Sequence, residues 1–169
     1  MNIIIEGPDN VGKSTLISNL KNHYNTITLH NLHYSNVKGS NIEYCKKLYF
    51  EMFSLLTSDK SFICDRSHLG EMVYGPLYRD YSGEFVLDIE KQFDTSEITL
   101  ITLIDDAESL IERDDGLSFS TDIDIKRREL SNFINAHVKS NIKNKLLVNI
   151  KDFNEELLKN HIIKFINKE

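Results

Sequence analysis

The chain has 169 residues, 40% of them hydrophobic and 27% charged, with a formal net charge of −6. That length suits one domain with a proper core, which needs neither a disulfide nor a metal as a staple. The acidic balance disfavours a general affinity for nucleic-acid backbones, although a few well-placed cations suffice for a polyphosphate site.

No apolar run approaches the roughly 20 residues of a membrane span. The chain opens on polar Asn2 and an apolar strand, without a basic leader. A soluble, cytoplasmic protein is expected. Cys45 and Cys64 have no CxxC spacing and lie in apolar runs, so both read as buried free thiols in a reducing compartment.

In chain order, residues 2–6 are an apolar run ending at Gly7, the pattern of a buried parallel strand. A helix is predicted from about Lys13 to Tyr24, then a second strand over 26–30. Ser40 and Glu43 read as a capping box for a helix over 40–57. There Ile42, Cys45, Leu48, Tyr49, Met52, Phe53 and Leu56 recur at helical spacing. Ser61 to Cys64 reads as a strand delivering Asp65 and Arg66 at its carboxyl end; helices follow over 68–80 and 84–93. Residues 98–104 are the clearest β run. Asp105 with Glu108 is expected to cap a helix ending near Arg113, and a polar segment, 114–121, precedes a helix over 122–141. A last strand over 145–150 leads to a terminal helix capped by Asp152 with Glu155. This alternation predicts one α/β domain: a parallel five-stranded sheet with helices on both faces, its ligands beyond the carboxyl ends of the strands.

Gly7-Pro8-Asp9-Asn10-Val11-Gly12-Lys13-Ser14 fits G-x-x-x-x-G-K-[ST], the P-loop of nucleotide-binding proteins, between a strand and an amphipathic helix. The glycines let backbone N–H groups converge on phosphate, and the helix start adds its positive dipole end. The nucleotide-binding set is therefore Gly7, Asn10, Val11, Gly12, Lys13, Ser14 and Thr15, with Lys13 directed to the β/γ-phosphates of ATP and the Ser14 hydroxyl to Mg²⁺. A GTPase is disfavoured: there is no Asn-Lys-x-Asp motif, and Asn149-Ile150-Lys151-Asp152 has its lysine misplaced.

The run from Ile5 to Thr15 resembles the E-G-x-D-G-x-G-K-[ST]-T of the thymidylate kinase family of nucleoside-monophosphate kinases, and Cys64-Asp65-Arg66-Ser67 is similar to that family's Asp-Arg-aromatic at a strand end. A looser match is the polar segment after Arg113, with Glu129 and Phe133 behind it. The resemblance implies that Asp9 bonds the acceptor's sugar hydroxyl, Arg66 clamps its phosphate against the donor, and Asp65 helps organise Mg²⁺. It also implies a homodimer. Asn10 in place of the family's Gly, and Ser67 in place of its aromatic, are departures that bear on acceptor preference. For Asp65-Arg66 the competing reading is an ordinary surface pair.

The stretch 67–79 is dense in functional side chains. On a helix His68, Glu71, Gly75 and Tyr78 share one face with Tyr74 beside it, placed to line an acceptor pocket with Arg79 on the base edge or phosphate. The alternative is that Tyr74 and Tyr78 are core aromatics. Segment 114–121 reads as a closing lid, with Arg113, Arg127 and Arg128 as candidates to reach the phosphates, or as members of a solvated helix face. His30 and His33 lack the further ligands of a structural zinc site. The residues expected to carry phosphoryl transfer are Lys13, Arg66, Asp9, Asp65 and Arg113. The function these point to is ATP- and Mg²⁺-dependent transfer to a small-molecule nucleotide, dTMP or a related deoxypyrimidine monophosphate. Alternatives are a kinase for a nucleoside, modified base or nucleic-acid end, and a non-kinase ATP-binding module.

Overall fold

The structure, a computed structural model, describes residues 1–34 and 41–169. Five strands, β1 (Asn2–Glu6), β2 (Leu29–His33), β3 (Ser61–Asp65), β4 (Ile98–Ile104) and β5 (Asn144–Asn149), form one sheet in the order β2-β3-β1-β4-β5. Every pairing is parallel. The chain runs from β1 to one side for β2 and β3, then crosses to the other for β4 and β5. The order therefore reverses at β1, where a crevice opens beyond the strand ends.

Both faces of the sheet are covered, which explains why β1 and β4 read as continuous apolar runs without alternation. Ile3 and Ile5 of β1 face Ile63, Ile101 and Leu103, and pack under α1 (Lys13–His23) and α7 (Glu155–Asn167). Ile4 faces Cys64 and Leu100 on the opposite side, under α2 (Ile42–Leu56), α3 (Leu69–Tyr78), α4 (Phe85–Glu90) and α6 (Ile123–Lys139). A short α5 (Ala107–Glu112) follows β4. Both cysteines are buried and free. No helix among the described residues is long and apolar enough to cross a membrane.

Several boundaries differ from the sequence expectation. β2 is Leu29–His33, not 26–30, because this edge strand takes its register from β3 (Leu29 opposite Ser61), and three of its five side chains are exposed. The helix caps lie one or two residues later than expected. Asn41 caps α2 by accepting the Tyr44 N–H at 2.8 Å, and Ser40 lies outside the described residues. Asp106 caps α5 through the Ser109 N–H at 2.8 Å, while buried Asp105 pairs with Arg113. Asn154 caps α7 through the Leu157 N–H, because residues 150–152 are spent in a single 3₁₀ turn. In each case a second short polar side chain stood beside the expected cap, and backbone geometry chose between them.

Candidate active site

The phosphate loop follows from β1. Gly7 has φ 141°, and a Cβ there would meet the Leu103 carbonyl oxygen at 2.4 Å, so only glycine lets the loop press against β4. Gly12, at φ 88°, starts α1 with its amide ends open. Val11 is fully buried and anchors the loop. Lys13, also buried, donates from Nζ to the Gly7 and Pro8 carbonyls at 2.9 and 2.6 Å. Burial, and then the nearby Arg66 guanidinium, lower its pKa from 10.5 to about 8, against the opposing pull of Asp9 and Glu6.

A polar cavity of about 510 Å³ lies beyond this loop, lined among others by Asp9, Gly12, Lys13, Ser14, Thr15 and Asp65. Arg66 projects into it from the end of β3 at φ 65°, and its Nη2 donates to Asp9 Oδ1 at 2.5 Å. Asp65 Oδ1 and Arg66 Nε are buried without a hydrogen-bond partner, so both have unspent capacity toward a ligand. Asp65 Oδ2 lies 3.5 Å from His33 Nδ1. His30 instead lies against Phe62, ring centroids 5.5 Å apart and tilted by 44°: positions three apart on a strand point to opposite faces, so the two histidines do not converge. Among the described residues no group of three or more His, Cys, Asp or Glu is arranged to hold a metal. The orphaned Asp65 oxygen and the exposed Ser14 hydroxyl nevertheless fit Mg²⁺, a hard cation that takes few protein oxygens and retains water and phosphate ligands.

A second cavity, about 180 Å³, adjoins the first and shares Arg66 and Phe119 with it. Its walls include Glu6, Tyr34, Tyr49, Glu71, Tyr74 and Arg79. Glu71 is buried at its base, accepting from the Tyr49 hydroxyl at 2.9 Å, from Arg79 Nη1 at 2.9 Å and from the Tyr81 hydroxyl. Burial first, and the Glu71 charge second, push the Tyr49 phenol far above its ordinary range, so Tyr49 stays a donor. Tyr74 is likewise raised by burial.

Of the acceptor face expected on α3, the structure brings Glu71, Tyr74 and Arg79 to the cavity. His68 is corrected: its side chain is fully buried, with Nε2 2.8 Å from Glu90 and Nδ1 3.1 Å from Ser67, edge-on to Phe53. It therefore holds α3 to α4 and lines neither cavity. Gly75 faces Tyr81, whose carbonyl a Cβ would meet at 2.8 Å. Tyr78 sits behind the wall, donating to Glu129 at 2.5 Å and stacking on Phe119 at 4.8 Å. Tyr74 is both a buried core aromatic and a cavity wall, so the two sequence readings coincide there.

Just before the 114–121 segment, Arg113 lines the phosphate cavity, tethered to Asp105 and to the Ser109 carbonyl. Arg127 pairs with Glu108 at 2.6 Å on an exposed helix face, and Arg128 is exposed beside it. Neither lines the phosphate cavity. Asn10 reaches across to the 114–121 segment, donating to Asp114 Oδ1 and Ser118 Oγ at 3.1 and 3.2 Å. Sequence reasoning missed Glu6, Tyr34, Tyr49 and Phe119. Tyr49 shares the apolar period of α2 and looks like core; Phe119, a lone aromatic in a polar loop, was the legible signal. A third, mostly apolar cavity of about 180 Å³ lies between α1 and the 150–155 loop, lined by Val11, Thr15, Ile150 and Phe153.

No protein-family model matches the chain. A Bacillus subtilis SPbeta prophage-derived protein, YorR, is 35% identical over 83 residues, 47% of this chain and 46% of YorR, so the match spans about half the length of that relative. Solved structures align over nearly the whole chain. YorR in complex with phosphorylated GDP does so at TM-score 0.68 and 20% identity, covering 99% of this chain and 96% of that one. Thymidylate kinase from Candida albicans gives 0.69 and 14%, covering 99% and 91%. Deoxyadenosine kinase from M. mycoides with bound dATP gives 0.58 and 16%, covering 99% and 100%. With its five-stranded parallel sheet, the phosphate loop leaving the central strand and a full-length match to these structures, the chain has the fold of the P-loop nucleotide kinases.

Proposed function

We propose that the chain is an ATP- and Mg²⁺-dependent kinase that transfers the γ-phosphoryl group to a nucleoside monophosphate, dTMP or a related deoxypyrimidine monophosphate being the leading acceptor. The observation that carries this is Arg66, a cation at the junction of the two cavities, held 2.5 Å from Asp9 and with a buried Nε still unpartnered. Phosphoryl transfer is mostly positioning and charge neutralisation, so a guanidinium facing both donor and acceptor phosphates is what the reaction requires.

In this reading the phosphate-loop amides and Lys13 hold the β/γ-phosphates, and Val11, Thr15 and Phe153 border the adenine. An oxygen of the acceptor's phosphate attacks the γ-phosphorus as the bond to the β–γ bridging oxygen breaks, and ADP leaves. Arg66 and Arg113 neutralise charge on the transferred group. Asp9 meets the acceptor's sugar hydroxyl; Tyr74, Arg79 and Glu71 border its base. Segment 114–121 acts as the lid. Ser14 and Asp65 would hold Mg²⁺, which when bound neutralises phosphate charge.

A nucleoside acceptor is the second reading. The buried Glu6 carboxylate opens into the same cavity, where a hydroxyl acceptor would need a base. ADP release would be measured with Mg·ATP against each ribo- and deoxynucleoside monophosphate, including the guanine nucleotides that YorR's ligand brings into play, and against the free nucleosides, DNA ends and no acceptor. Lys13→Ala is the control. Turnover with one monophosphate supports the proposal, response only to nucleosides or DNA overturns the acceptor, and no response to any acceptor leaves an ATP-binding module.

A further inference from the structure

The phosphate loop carries Asn10 at φ 64°, a backbone conformation that Asn tolerates better than other residues bearing a side chain. Its amide nitrogen lies 3.1 Å from Asp114 Oδ1 and 3.2 Å from Ser118 Oγ. An ionised Asp114 only accepts, which fixes the amide with nitrogen outward. Asp114 Oδ2 in turn takes the Gly116 N–H, so the carboxylate organises the lid turn as well as receiving the loop. The next residue after Ser118 is Phe119, whose ring stacks on Tyr78 at 4.8 Å and lies 5.2 Å from the Tyr74 ring. Phe119 is half exposed and forms a wall of both cavities. The preceding loop residue, Asp9, is bonded to Arg66. Adjacent side chains of one loop thus grip the clamp arginine and the lid.

We propose that Asn10 is a positioning residue that ties the phosphate loop to the lid, so that ordering of the loop by a nucleotide seats Phe119 over the acceptor cavity. The proposal rests on the kinase reading above. A lid seated by the donor site keeps water from the γ-phosphate until an acceptor is enclosed. Asn10 lines the phosphate cavity, and its effect on the lid passes through Ser118 and Phe119.

The chain contains no Trp, so Phe119→Trp supplies a single emitting indole at the lid. On that background ADP is expected to change the emission, and Asn10→Gly to remove the response at saturating ADP, with occupancy read separately by calorimetry because Asn10 also lines the phosphate cavity. In enzyme without the reporter, Asn10→Gly is expected to raise acceptor-independent ATP hydrolysis relative to transfer about tenfold and to raise the acceptor KM more than the ATP KM. Two hydrogen bonds of ordinary net strength set that scale. Asp114→Ala removes one of the two partners, so the effects of the two substitutions share the Asn10–Asp114 bond and the double variant should fall short of their sum. A hydrolysis-to-transfer ratio within twofold of wild type, an ADP response that survives Asn10→Gly, or additive effects of the two substitutions would each overturn the proposal. Failure of the wild type to phosphorylate any acceptor would instead remove the kinase reading, while the ADP-linked emission would still test the tie.

Discussion

Lys13 offers a test of the phosphate loop that requires no substrate. Its pKa falls from 10.5 to about 8 because the ammonium is buried and faces Arg66. The folded state therefore binds fewer protons than the unfolded chain between pH 8 and 10.5. Stability rises with pH across that window and is lost again as pH falls through 8. The gap of 10.5 − 8 corresponds to about 3 kcal/mol of strain on the cation at neutral pH. Lys13→Met removes the charge at similar length, and also removes the donations to the Gly7 and Pro8 carbonyls, each worth about 1 kcal/mol. Denaturant unfolding of both proteins at pH 7 through 10.5 should show wild type gaining on the variant by about 3 kcal/mol as pH rises. ADP, whose phosphates favour the ammonium, should bind with proton uptake near pH 8.5, measured by calorimetry in two buffers. A stability difference flat in pH, with no proton uptake, would refute the reasoning.

Two further sets of substitutions test the frame around the second cavity and the 114–121 segment. Lys126 and Glu129 form a buried pair at 2.8 Å, and Glu129 also receives the Tyr78 hydroxyl; Lys126→Met strands that carboxylate and should cost about 3–5 kcal/mol in urea unfolding, much of it recovered when Glu129→Gln is added. Gly83 and Gly116 share a left-handed backbone, φ 72° and 83°, but a Cβ at Gly83 would lie 2.2 Å from the Glu71 carbonyl oxygen, whereas none at Gly116 meets anything within 4 Å. Gly116→Ala should therefore cost about 1 kcal/mol and Gly83→Ala at least about 2 kcal/mol more, read as the difference in unfolding midpoints.

The amino-acid sequence by itself determined the alternation of strands and helices, the phosphate loop and the delivery of Asp65-Arg66 to a strand end. These are local properties: glycine spacing sets how the loop curls, and the short, β-branched apolar runs of β1 and β4 fit strands buried on both faces. The mostly exposed β2 had no such run, and its register came from pairing with β3. Helical periodicity along α3 identified a functional stretch but not its orientation. His68 and Tyr74 are equally plausible on paper, and it is Glu90 from α4 that draws His68 inward and leaves Tyr74 at the cavity. Segment 114–121 gives the clearest case of what only tertiary structure decided. Nothing near Phe119 in sequence announces Tyr74, Tyr78 or Asn10, because those contacts are made across elements distant in the chain, by packing and hydrogen bonds that no local pattern encodes.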